Sequence, residues 1–246
     1  MSNHEHLVVT DTQGRLPDFL RDFHRVVALG VQAIRGWQGE VWDGAATSCV
    51  TLCTPSAIVE KLAYIMNNPV RAGLVHAAED WPGVMVLPTE LGRKTWKQER
   101  PNVFYSAANP QWPGHAELQV TMPKHYLSDD ELRRAVSTEL AMLTEEVHRK
   151  LRAQGRRVLG RAGIMKIPPS HSTHRTEPKR ARQPTIAAGR GQKAMLTTAL
   201  AALKRFRRKY RDALSQWREG IRDVLFPRYT WLMSCLHGVP IEPEPI

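Results

Sequence analysis

Residues 54–75 read TPSAIVEKLAYIMNNPVRAGLV. Thr54 followed by Pro55 is a helix start, because the hydroxyl can accept from a first-turn N–H and a proline there removes no bond the helix needs. Ile58, Leu62 and Ile65 recur at steps of four and three and form an apolar stripe. Tyr64 lies off that stripe. Its neighbours one turn away are Glu60, Lys61, Asn67 and Asn68, so the phenol belongs to the polar face. The helix is expected to stop near Asn67, since Pro69 donates no helical hydrogen bond and biases Asn68 away from α geometry. A tyrosine so placed is either an edge-of-core residue with its hydroxyl on a surface partner or a reactive phenol.

Upstream, residues 4–10, HEHLVVT, alternate weakly and end in the turn-like DTQG, which suits a short strand. On a strand His4 and His6 share a face and can share one ion, while Glu5 points the other way. In a chain with 10 histidines such a pair also arises by composition, as two surface imidazoles. Residues 16–35 place Leu16, Phe19, Leu20, Phe23, Val27, Val31 and Ile34 on one side, which predicts a core-facing helix. A strand-like piece, EVWDGAATSCVTL, follows at 40–52.

Downstream of the tyrosine helix comes a tryptophan-containing turn, EDWPG, and then a strand, ELQVTM at 117–122, among turns. Leu132, Val136, Leu140, Leu143, Val147 and Leu151 predict an amphipathic helix over 129–154. Residues 168–190, rich in Pro, Ser, Thr, Gly and Arg, read as a flexible linker. A last helix, 193–219, carries Leu196, Leu200, Leu203, Phe206, Tyr210, Leu214 and Trp217 on its apolar side. Its other side is cationic: Lys204, Arg205, Arg207, Arg208, Lys209 and Arg211.

Hydrophobic residues are 42% of the 246, and no apolar run reaches the roughly 18 residues of a membrane span. The first residues lack the basic and apolar regions of a signal peptide, so the expected location is the cytoplasm and no membrane partner is expected. Cys49, Cys53 and Cys235 show no zinc spacing and read as small core residues. The net charge of +11 is uneven: residues 1–90 hold 6 Lys+Arg against 10 Asp+Glu, and residues 91–246 hold 29 against 14. A basic segment of this kind attracts polyanions such as nucleic acid, although solvated basic surface has the same composition.

The order SNHEHL, helix, VW, YIMNNPVRAGLV and DWP resembles the single-tyrosine HUH transposases, in particular the REP-associated tyrosine transposases. NPVRAGLV, eight contiguous residues placed just after the tyrosine, is the most specific part. The basic helix leading into FRRKYRDALSQWREGIRDVLFP is similar to an extension found in some members.

The resemblance implies an α+β chain: a truncated ferredoxin-like transposase domain over residues 1–90, then a basic, mostly helical extension over 91–246. It implies that His4, His6 and Asn68 hold Mg²⁺ or Mn²⁺ against a scissile phosphate of single-stranded or hairpin DNA. Tyr64 would then attack phosphorus, leaving a 5′-phosphotyrosine and a free 3′-hydroxyl. A free tyrosine has a pKa of about 10, so its oxygen needs activation, and the sequence names no general base. Lys61, one turn before Tyr64, and Arg71 have two readings each: phosphate contact, or a solvated lysine and a brace of the turn. The six cations of 204–211 are the expected DNA-binding face.

Two features depart from the family pattern. Glu5 stands where members have a hydrophobic residue, which on a strand sends a carboxylate toward the covered face of the sheet. The strand, helix and strand that precede the histidine strand in the family fold do not precede it here, which suggests a late-assigned start or a truncated remnant. A non-catalytic, truncated or domesticated DNA-binding protein is therefore the alternative reading. Whether Tyr64 serves its own subunit's histidines or those of a partner in a homodimer is open from the sequence.

Overall fold

The computed structural model of the chain describes residues 4–42, 47–102, 106, 108–123, 128–168 and 185–243. In chain order these form α1 (Leu16–Arg35), β1 (Thr51–Leu52), α2 (Pro55–Met66), α3 (Asn68–Arg71), β2 (Thr95–Glu99) and β3 (His115–Gln119). They continue with α4 (Asp129–Ala153), α5 (Gly160–Met165), β4 (Ile186–Ala187), α6 (Lys193–Arg218) and α7 (Trp231–His237). Helix dominates, and the chain is of mixed α+β composition. Two compact units interleave along the sequence. The first is Met1–Val9, Ser48–Glu99 and Gly114–Gln192, and the second is Thr10–Thr47, Arg100–Pro113 and Lys193–Ile246.

The core of the first unit forms where α2 meets α4. Leu132 and Val136 of α4 are fully buried among Ile58, Leu62, Ala63 and Met66 of α2, with Leu91 and Ala78 closing the sides. Burying a leucine of this kind contributes about 1.5–3 kcal/mol. Ile65, expected in the buried stripe, is half-buried; Ala57, Ala63 and Met66 take the inner positions instead. Packing thus joins α2, on the acidic side of residue 90, to α4, on the basic side.

Thr54 caps α2 as expected, its hydroxyl accepting from the Ala57 N–H. The helix ends where expected, at Met66 with Asn67 as its C-cap, but Asn68 is not held away from α geometry. Asn67 N–H donates to Ala63 O at 2.9 Å, Arg71 N–H donates to Asn67 O at 2.8 Å, and a further helical turn, α3, follows at once. Pro69 sits in the first turn of α3, where a missing N–H costs no bond. Asn67 is buried, and its side-chain oxygen accepts from Thr144 Oγ1 of α4 at 3.1 Å, which satisfies the amide oxygen inside the core.

Residues 4–10 are not a strand: they are exposed, and the described residues contain two two-stranded sheets that do not include them. A strand exists only through ladder bonds to a neighbour, and weak alternation cannot supply that neighbour. Glu5 is accordingly exposed, so no carboxylate is driven under a sheet. The strand-like piece at 40–52 reduces to Thr51–Leu52, with residues 43–46 outside the described residues. The strand expected at 117–122 lies at His115–Gln119. It pairs antiparallel with Thr95–Glu99, with Trp96 opposite Leu118 and a Lys97–Glu117 ion pair at 3.0 Å.

The expected linker, 168–190, has residues 169–184 outside the described residues. Its last part is seated rather than flexible. Ile186–Ala187 pair in parallel with Thr51–Leu52, and Ala188 is buried. Gly189, at φ +78°, passes so close to the start of α2 that a Cβ would fall 2.9 Å from the Ala57 nitrogen. Only glycine fits that approach. Arg190 then reaches Glu60 of α2 at 3.3 Å and pairs with the buried Glu139 of α4.

In the second unit, α1 has the expected bounds but no buried residue; Phe19 and Ile34 are 43% and 69% exposed. The apolar pattern sets the helix, but among the described residues no core closes over it. The cap at its start is Asp11, whose carboxylate accepts from the N–H groups of Arg15 and Leu16. Beyond it, Phe226 is fully buried among Ala213, Met233 and Val239, with Tyr210, Leu214 and Trp217 of α6 against them. Phe226 also bridges in parallel to Ile241. The cysteines are not core residues: Cys49 and Cys235 are exposed, and Cys53 is half-buried with its thiol on Ala187 O. No helix among the described residues is long and apolar enough to cross a membrane.

Candidate functional site

Tyr64 projects from the third turn of α2, off the buried stripe and half-exposed, as the sequence pattern requires. α3 continues α2 by one turn and carries Arg71 back under the phenol. Arg71 Nη1 donates to the Tyr64 oxygen at 2.8 Å, and its guanidinium carbon stands 5.2 Å from the ring centroid. Lys61 Nζ lies over the same ring at 5.3 Å. Two cations thus flank one phenol. Arg71 does more than brace a turn: it sits on the atom that would carry charge in a nucleophilic step.

The N-terminal histidines arrive at this place from an irregular segment. The His6 ring is edge-on to Tyr64 at 6.0 Å between centroids, and the His4 ring is 5.1 Å from that of His6. His4 Nε2 lies 3.1 Å from the side-chain nitrogen of Asn68. His4, His6, Tyr64, Asn68, Lys61 and Arg71 therefore meet within one unit of one chain. The pleat was expected to aim both imidazoles; the approach to α2 and α3 does so instead.

His6 is exposed by area, yet its imidazole is held below the ordinary value of 6.5. Local desolvation contributes most, followed by the neighbouring His4 and Lys61 charges. A neutral imidazole is the form that binds a cation. Two neighbouring imidazoles, one of them against an amide, are donor types that a divalent ion of Mn²⁺ or Mg²⁺ type accepts, the imidazoles favouring Mn²⁺. A half turn of the Asn68 amide exchanges its nitrogen and oxygen and presents the ligating atom in the same place.

Beside the tyrosine is a cleft of about 350 Å³ between α2–α3 and the C-terminal half of α4. Tyr64 and Arg71 form one wall, and Val147, Lys150, Gln154 and Arg156 form the other. The α4 residues went unread in the sequence because some eighty positions separate them from Tyr64; their only local signal is the cationic end of the helix. The cations of 204–211 belong to α6 of the second unit. Lys204, Arg205, Arg207, Arg208, Lys209 and Arg211 are all exposed, while Phe206 and Tyr210 turn inward toward Phe226. Lys209 pairs with Glu242 at 2.6 Å, and among the described residues the other five have no acidic partner.

Comparison of the chain with protein-family models, with curated proteins and with solved structures finds no match.

Proposed function

We propose that this protein is a transposase-type enzyme that cleaves and rejoins single-stranded DNA beside hairpins, through a 5′-phosphotyrosine on Tyr64. The observation that carries the reading is the convergence of Tyr64, Arg71, His4, His6 and Asn68, residues up to 67 positions apart, on one exposed surface. It is the grouping that the resemblance to the REP-associated tyrosine transposases requires, whether or not the ferredoxin-like scaffold of that family accompanies it.

In this reading His4, His6 and Asn68 hold Mg²⁺ or Mn²⁺. Such an ion, when bound, polarises a phosphoryl oxygen and offsets the charge that develops there. Arg71 aims the phenol oxygen and stabilises the negative charge left on it as its proton departs. Lys61 adds a second cation above the ring, placed to attract the phosphate. The Tyr64 oxygen forms a bond to phosphorus as the bond from phosphorus to the 3′-oxygen breaks, so the deoxyribose 3′-oxygen leaves and takes up a proton. The ester retains the energy of the broken linkage. A DNA 3′-hydroxyl reverses the step without a nucleotide cofactor.

The exposed α6 cations support a second reading, a DNA-binding protein without catalysis, since arginines with no acidic partner among the described residues suffice for phosphate contact. The two readings separate in one experiment. Incubation with hairpin-bearing single-stranded DNA and Mn²⁺ is expected to give an adduct that survives a denaturing gel and is absent from Tyr64→Phe. No adduct, together with salt-sensitive binding indifferent to metal, would leave the non-catalytic reading.

A further inference from the structure

The cleft beside Tyr64 has a composition that the catalytic constellation does not use. Leu143, Val147 and Leu151 of α4 give it an apolar wall, half-buried to buried. Arg71, Lys150 and Arg156 give it a cationic rim, and Gln154 adds an amide that both donates and accepts. Glu146 is paired with Lys150, so those two charges offset one another and the net positive charge of the rim comes from Arg71 and Arg156.

The far end is fixed by backbone. The Arg156 N–H donates to Leu151 O at 3.0 Å, which folds the chain back after α4. The turn after α3 closes against it: Gly73, at φ +74°, lies so near the Arg156 guanidinium that a Cβ would be 3.5 Å from Nη2. Leu159 and Gly160 donate to the carbonyls of Gly73 and Leu74 at 3.0 and 2.9 Å, tying the same turn down again. The rim is therefore held by main chain rather than by the side chains that line it.

A small inorganic anion has no use for the apolar wall, and an apolar ligand has none for three cations. A nucleotide uses both, with a flat apolar face for the wall and a phosphate for the rim. The volume of about 350 Å³ lies at the small end of ligand pockets and accommodates one nucleotide rather than a run of them. Arg71 joins the two places, since it lines the cleft and donates to the Tyr64 oxygen.

We infer that this cleft seats the single nucleotide next to the scissile phosphate, its base against Leu143 and Val147 and its phosphate on Lys150 and Arg156. This rests on the DNA-cleaving reading for the word scissile, and on nothing in that reading for the seat itself. The consequence is a specificity contact supplied by α4, far in sequence from the tyrosine motif.

The test is equilibrium binding by Tyr64→Phe protein, which cannot cleave, of a fluorescein-labelled hairpin DNA with a single-stranded tail. An abasic site is walked through the tail one position at a time. One position is expected to weaken binding by about tenfold, the size of one lost set of base contacts, with its neighbours little changed. Arg156→Ala and Gln154→Glu alter exposed residues and leave the fold intact by circular dichroism. Each is expected to weaken binding and to flatten the abasic profile. A flat profile in the parent, or binding by both variants equal to the parent, overturns the seat, and a Tyr64 adduct formed by the unsubstituted protein on the same DNA leaves the catalytic reading standing. A position-specific profile with no adduct from the unsubstituted protein keeps the seat and overturns catalysis.

Discussion

Arg71 holds Tyr64 by its phenol oxygen: the guanidinium donates to that oxygen at 2.8 Å from a helical turn that begins four residues beyond the tyrosine. The contact depends on α3 continuing α2, because a chain that turned away at Pro69 would carry Arg71 elsewhere. In the proposed reaction Arg71→Ala removes a donor from the atom that becomes negative during attack. It is expected to slow adduct formation by about tenfold to a hundredfold while leaving DNA affinity changed far less. Single-turnover adduct kinetics against a binding isotherm separate the two.

Glu90 is the anchor of a turn against which α4 packs. Burial works to raise its carboxyl, but the Lys94 ammonium at 2.6 Å and the Leu87 N–H together hold it below the ordinary 4.5. A folded-state value below the unfolded one means that the contribution is present above about pH 4.5 and is lost as pH falls through the lower, folded value. Glu90→Gln is therefore expected to lower the thermal midpoint at neutral pH and to shallow the acid limb of midpoint against pH. An acid limb of unchanged steepness would remove Glu90 from the acid response.

Leu132 is fully buried at the α2–α4 contact that places Tyr64 beside the cleft. Leu132→Ala leaves a cavity there, with an expected loss of about 2–5 kcal/mol in urea unfolding. Because the cavity lies under α2, DNA affinity is expected to fall in step with the fraction unfolded and not before it.

Arg205 and Arg208 are exposed on α6 and have no acidic partner among the described residues. If they neutralise phosphates, replacing both by alanine lowers the slope of log affinity against log salt by about 0.7 per charge for a single strand. An unchanged slope would assign them to solvent. The metal dependence of any adduct is expected to be the same in this variant, since the histidines and Tyr64 belong to the other unit.

Some of this was present in the order of residues alone. The bounds of α1, α4 and α6 follow from apolar spacing and local caps, as do the Thr54 cap and the polar placement of Tyr64, because helix formation is decided within a turn or two of chain. The histidine strand, the non-helical geometry expected of Asn68 before Pro69 and the buried cysteines were misread for the complementary reason. A strand needs a partner from elsewhere, a proline is harmless where its missing N–H has no acceptor to serve, and a small residue is buried only if something packs over it. The linker at 168–190 shows the same limit. Its polar, glycine-rich end looks unstructured until Gly189 and Arg190 are seen to need the start of α2, Glu60 and Glu139.

The sequence by itself determined which segments coil into helices, which face of each is apolar, where positive charge accumulates and which residue types are able to carry phosphoryl chemistry. It took tertiary packing to bring two imidazoles from an irregular N-terminal stretch, a guanidinium two residues past a proline, and the cationic end of a helix eighty residues on around one phenol. The reason is physical. Local patterns fix backbone geometry through bonds a few residues long, whereas side chains distant in the chain meet only when buried surfaces such as Leu132 on Ile58 and Leu62 select one packing among many.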